Sequence, residues 1–197
     1  MALKKSITRY IDPATLAAAI IDYAHYEIHS GSSFSVLYSR VTANSDNHRT
    51  AIAFSTPDTT KWGHMVFTVS ASGPAEVFLL EAMTIDDDAG TQATIKNRNR
   101  NSSKTSTMLS LETVPTANEV TTFDETAIAA ANFSGGTELA YEQLGGGLGV
   151  RAIGGTSRGA QEWILKQNTK YIIYLQNVGA NTNTHTISLD WYEHTNK

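Results

Sequence analysis

From Tyr26 onward the chain alternates between apolar and polar positions. Phe34, Val36 and Tyr38 alternate with Ser33, Ser35 and Ser39. Met65, Phe67, Val69 and Ala71 alternate with His64, Thr68 and Ser70, and Leu139 and Tyr141 with Glu138 and Glu142. Ile187, Leu189 and Trp191 do the same with Ser188 and Asp190. A period of two places one side of a strand on a core and the other in water or against a neighbour. Thr50–Phe54, Val77–Ala82, Thr107–Thr113, Gln161–Lys166 and Lys170–Gln176 read as further strands. Val77 to Leu80 is apolar on both sides, which predicts a central strand.

Turn-forming clusters separate these runs at 44–47, 56–58, 72–74, 86–90, 97–103 and 145–159. Many short strands divided by turns predict an all-β fold, an antiparallel β-sandwich or jelly roll. The first thirty residues differ. Asp12 can cap a helix that Pro13 opens, and Ala14 to Tyr23 is alanine-rich. Residues 1–30 therefore read as an N-terminal arm or short helix and a possible anchor, and 31–197 as the sandwich body. The last strand has a core-facing side, which ties the end of the chain into a sheet.

Composition narrows the picture. A length of 197 residues suits one β-rich domain that buries a core without covalent staples. The absence of cysteine excludes disulfides and thiolate metal sites. The net charge of -4 and the lack of a basic block argue against a nucleic-acid binder. No apolar run approaches a membrane span of about 20 residues. Charged residues make up 17%, while Thr, Ser and Asn are abundant, a balance that suits surfaces covered by a partner.

Four local patterns resemble chemical motifs. Gly155, Ser157 and Gly159 match the nucleophile elbow, with Asp190 and His194 following in hydrolase order. The run before the elbow is short and charged, and no strand–helix alternation precedes it, so a flexible loop is the preferred reading. Gly147, Gly149 and Ala152 fit a degenerate dinucleotide fingerprint, but lack both the helix it should open and the later acid. His25, Glu27 and His29 would share one face of a strand, where they could ligate zinc; a polar strand face is preferred. Asp86, Asp88 and Gly90 echo a calcium loop whose twelfth position is Asn97, so a solvated acidic turn is preferred. Asn97-Arg-Asn-Arg-Asn101 is the one concentrated basic feature; its two guanidiniums suit carboxylates at a protein interface, and a plain solvated loop is an equal alternative.

A resemblance rests on an ordered set of short pieces. They are His25-Tyr-Glu-Ile-His29 with Ser30, Gly31 and Phe34; Thr59-Thr-Lys-Trp62 with His64; and Asn97 to Ser103. Arg158 with Glu162-Trp-Ile-Leu-Lys166, Asn168, Thr169 and Tyr171 follow, then Asp190-Trp-Tyr-Glu-His-Thr195. With these pieces the sequence resembles small structural proteins of tailed bacteriophages that decorate or cement the capsid. The resemblance implies a β-sandwich or jelly-roll body, a virion location after assembly in the host cytoplasm, and the major capsid protein as partner. Such proteins are often trimers, so a homotrimer is expected, and no catalytic residue is carried over; with the composition and motifs above, no enzyme activity, cofactor, metal, nucleic acid or membrane is expected. Candidate interface residues are Tyr26, Trp62, Arg98, Arg100 and Arg158. Two other functions compete: a carbohydrate- or receptor-binding sandwich of a tail or head fibre, and, remotely, a hydrolase using Ser157.

Overall fold

The structure is a computed structural model that describes residues 23–41, 48–86, 88–124, 126, 128, 132–145, 151–154 and 162–195, with backbone alone for 151–154. Helix α1 (Tyr23–Ser30) leads into β1 (Ser33–Val41), β2 (Arg49–Ser55), β3 (Lys61–Ala71) and β4 (Ala75–Glu81). Next come β5 (Thr91–Thr94), β6 (Lys96–Asn97), β7 (Glu119–Phe123), β8 (Thr137–Leu144) and β9 (Arg151–Gly154). The chain continues through β10 (Trp163–Ile164), β11 (Lys170–Asn177) and β12 (Thr184–Thr195).

The pairing is nested. β1 pairs with β12, β2 with β11, β3 with β9 and β4 with β8, all antiparallel. A chain paired in this way is one long hairpin. It is rolled up, because β12 also pairs with β3 and β11 with β4. Two sheets result, with strand orders β1-β12-β3-β9 and β2-β11-β4-β8. This is the double Greek-key connection of a jelly roll. β6 extends the first sheet beyond β1, and β10 shares the free edge of β3 with β9. β7 and β5 extend the second sheet beyond β2.

Alternation decides which side chains fill the space between the sheets. Ile187, Leu189 and Trp191 meet Ile52, Phe54, Val77, Leu79, Tyr171 and Ile173 there. Each large apolar side chain withdrawn from water contributes roughly 1.5–3 kcal/mol. The second sheet is buried on its other side too, where Ala51, Ala53, Ile172 and Tyr174 meet Met83, Ile85, Leu111, Phe123 and Ile128. Val77 to Leu80 is thus a central strand, as its two-sided apolarity predicts. The outer side of the first sheet carries Ser35, Ser39, Thr68, Ser70, Thr186 and Ser188, and no described element covers them.

Several expectations need correction. Residues 23–30 form a helix and not an alternating strand, so the period of two begins at Ser33 and not at Tyr26. Thr107–Thr113 holds two isolated bridges at Leu109, to Ser55 and Ala117, in place of a strand, and Gln161–Lys166 contributes just Trp163–Ile164. The alternation at β8 does not bury Tyr141, which is 41% exposed beside a register shift at Leu79/Leu80. The helix proposed from Asp12, and all of residues 1–22, lie outside the described residues.

Candidate functional site

One end of the first sheet's outer side departs from the hydroxyl pattern. Trp191 faces the core, so Tyr192 and its cross-strand partner His64 face outward, as do His194 and its partner Trp62. His64 Nδ1 lies 3.0 Å from Glu162 Oε2, and Tyr192 donates its hydroxyl to the same oxygen at 3.0 Å. His194 Nε2 lies 2.7 Å from His64 Nε2. The rings of His64 and Tyr192 stack at 4.7 Å.

Helix α1 docks onto this cluster. The Tyr23 ring meets Tyr192 and His194 edge-on, both at 5.7 Å. Partial burial and the nearby Glu27 carboxylate push the Tyr23 hydroxyl above its ordinary pKa. Glu27 is buried one turn on and accepts from Ser30 Oγ. Gly31 ends the helix at φ 75°, a left-handed conformation that glycine adopts without strain.

The Asn/Arg loop caps that helix end. Asn99 Nδ2 donates to His29 O at 3.0 Å, Lys104 Nζ to Ser30 O at 2.8 Å and Asn97 Nδ2 to Gly31 O at 2.8 Å. Three carbonyls that the helix cannot bond internally are thereby satisfied, one of them by a cation where the helix dipole favours it. Inside the loop, Asn99 N donates to Asn97 Oδ1 and Asn101 N to Asn99 Oδ1, so alternate asparagines build successive Asx turns. This turn-forming segment is cross-linked through its asparagine side chains. A Cβ on Gly31 would lie 2.2 Å from Ser102 Oγ and 2.7 Å from Ser102 Cβ. Gly31→Ala is therefore expected to cost about 1–3 kcal/mol and to speed amide exchange across 97–104. Wild-type melting and exchange would show that the contact does not constrain the loop.

Beside the loop, buried Glu193 anchors the segment that follows it. Its carboxylate accepts from Ser106 Oγ at 2.5 Å, Thr107 N at 3.0 Å, Thr107 Oγ1 at 2.7 Å and Trp191 Nε1 at 3.0 Å.

Four of the five candidate interface residues belong to this region. Trp62 is 37% exposed on the rim of an open concavity of about 310 Å³ that Ile164, Leu165, Lys166 and Gln167 also line. Tyr26 is 52% exposed, with its ring 6.3 Å from that of Tyr23. Arg98 pairs with Asp190 at 3.6 Å. Arg100 is exposed and donates to Asn97 O. Arg158 and Ser157 lie outside the described residues.

The remaining motifs resolve differently. Asp190 and His194 stand four positions apart on one strand, roughly 13 Å. His194 Nδ1 turns to Thr195 O at 3.1 Å, so these two residues do not make the acid–histidine pair of a triad. His25 and His29 meet edge-on on the exposed side of α1 with Nε2 atoms 3.0 Å apart, while Glu27 is buried, so the three do not share a face. Asp88 accepts from Thr113 N and Thr113 Oγ1, bonds that hold its carboxyl below the usual range and occupy both oxygens of the supposed calcium loop. Pattern reading missed the roles of Tyr23, Glu162 and Glu193. The alternation around Trp191 already turned Tyr192 and His194 outward, and that was the one signal available.

No protein-family model and no curated protein matches the chain. Two solved structures of infectious bursal disease virus, of the Gt and Gx strains, align with it at 10% identity and TM-scores of 0.11 and 0.12. The alignments cover 93% and 92% of this chain but 43% and 44% of those chains. The chain thus spans under half their length, and likenesses this slight carry no argument. No helix among the described residues is long and apolar enough to cross a membrane.

Proposed function

We propose that this chain is a non-enzymatic structural protein of a tailed-phage virion, a decoration protein that stabilises the head by binding the major capsid protein. The observation that supports this best is convergence. Pieces of the resemblance from His25 to His194 meet through α1, the 97–104 loop, β3 and β12. Among the described residues, side chains of these pieces bond to one another, as His64 does to Glu162 and His194 and as Asn99 does to the end of α1, which holds a firm frame. Tyr26, Trp62 and Arg100 are exposed at the surface of that frame, Arg100 donating into it at Asn97 O. Aromatic and arginine side chains on a rigid base are the composition of protein-binding hot spots. The hydroxyl-rich outer side of the first sheet supplies a wide rim that needs little charge desolvation. Assembly as a trimer would add avidity to modest single contacts.

The concavity beside Trp62 favours a second reading, a glycan site with an aromatic platform. A glycan array separates the two: capsid decoration predicts a blank array together with saturable co-sedimentation on capsids encoded by the same genome. Array binding that Trp62→Ala abolishes, without capsid binding, would overturn the first reading.

A further inference from the structure

We propose that His64 and His194 form a two-imidazole site for a divalent transition-metal ion of the zinc, copper or nickel class, backed by Glu162 and Tyr192. The Nε2 atoms of the two rings converge to 2.7 Å. Their other nitrogens both face acceptors, His64 Nδ1 the Glu162 carboxylate and His194 Nδ1 the Thr195 carbonyl. A carbonyl has no proton to give, and a carboxylate accepts, so each Nδ1 carries the ring's hydrogen. In the neutral rings both Nε2 atoms are then bare lone pairs pointed at one another. Two such lone pairs at this distance repel unless a cation lies between them.

That tautomer, with Nδ1–H given to a carboxylate or a carbonyl and Nε2 left free, is the one in which histidine binds metals. Two nitrogens at about 2.0–2.1 Å from one ion, in tetrahedral or square geometry, stand roughly 2.9–3.4 Å apart. A ring movement of a few tenths of an ångström therefore admits the ion. Glu162 is itself held by the Tyr192 hydroxyl, and Tyr192 stacks on His64, so the backing shell is complete without the metal. His64 is buried within the cluster while His194 is half-buried, which leaves an approach from solvent. Imidazole donors without carboxylate ligands select zinc, copper or nickel over magnesium or calcium. Among the described residues no group of three or more His, Cys, Asp or Glu is arranged for a metal. Two protein ligands leave the remaining positions to water or to a donor from a bound neighbour. A proton competes for the same gap, so binding weakens in acid.

The test is calorimetric titration of the full chain with Zn²⁺ and with Ni²⁺ at neutral pH. The exposed His25–His29 pair is a second chelate, so it is removed first by His25→Ala/His29→Ala. In that background one equivalent of either ion should bind, and Mg²⁺ should give no heat. Adding His194→Ala should abolish binding, and adding Glu162→Gln, which spares both ligands, should weaken it about 10–100-fold. Circular dichroism of each variant establishes that the fold persists. Absence of saturable Zn²⁺ or Ni²⁺ binding by the folded background protein overturns the site. So does undiminished binding after His194→Ala, and unchanged affinity in Glu162→Gln removes the carboxylate from it.

Discussion

Glu193→Ala is expected to destabilise the protein by about 3–5 kcal/mol in urea unfolding. The carboxylate gathers hydrogens from Ser106 Oγ, Thr107 N, Thr107 Oγ1 and Trp191 Nε1. Two of the three donor residues are buried, Trp191 at 2% exposure and Ser106 at 2%. The hydroxyls can rotate toward other acceptors, but the Thr107 amide and the indole N–H cannot. Each stranded donor costs roughly 1–3 kcal/mol, and the lost side chain also leaves a void beside Trp191. Glu193→Gln keeps the shape and one acceptor oxygen but turns an N–H₂ group toward these donors, so it should recover part of the loss. A loss below about 1 kcal/mol for the alanine variant would mean that the donors find partners elsewhere.

Stability should also fall by about 3 kcal/mol between pH 6.5 and pH 4 through a single buried histidine. His185 is 0% exposed on the inward side of β12, with Nδ1 3.2 Å from Thr50 Oγ1. Its Nε2 has no hydrogen-bond partner among the described residues. Burial disfavours the charged ring and lowers its pKa from 6.5 to about 4. The unfolded chain therefore binds this proton more readily than the folded one. The contribution is fully present above about pH 6.5 and is lost as pH falls toward 4, at about 1.4 kcal/mol per pH unit. His185→Leu removes the titrating group, so the wild-type stability should drop more steeply than the variant's by about that amount. Parallel pH profiles would show that His185 stays neutral or is equally solvated in both states.

The residues that declared their places from pattern alone were those whose neighbours matter little. Ile187, Leu189 and Trp191 needed just the period of two, and Val77 to Leu80 needed just apolarity on both sides. Thr107 to Thr113 has the composition of a strand, yet four of its amides go to side chains, and just Leu109 N and Ser110 N reach backbone carbonyls, those of Ser55 and Thr116. Thr107 N bonds Glu193 and Leu111 N bonds Thr121 Oγ1, so no ladder forms. For His25 to His29, alternation and helical spacing predict different faces. Tertiary packing of Tyr23, Glu27 and Gly31 decided for the helix. The candidate site was legible as pieces but not as an arrangement. His64 meets Glu162 across 98 residues and His194 across 130. No local spacing encodes such meetings; they follow from the roll, which lays β3 beside β12. The capping of α1 by Asn97, Asn99 and Lys104 was hidden for the same reason.

Whether the convergent end is the binding face is tested most directly by co-sedimentation with capsids encoded by the same genome. The full chain should pellet with them saturably. Trp62→Ala/Arg100→Glu should weaken that binding at least tenfold, while Tyr141→Ala, on the β8 edge of the other sheet, should leave it unchanged. No pelleting of the wild-type chain, or full binding by the double variant, would contradict the account.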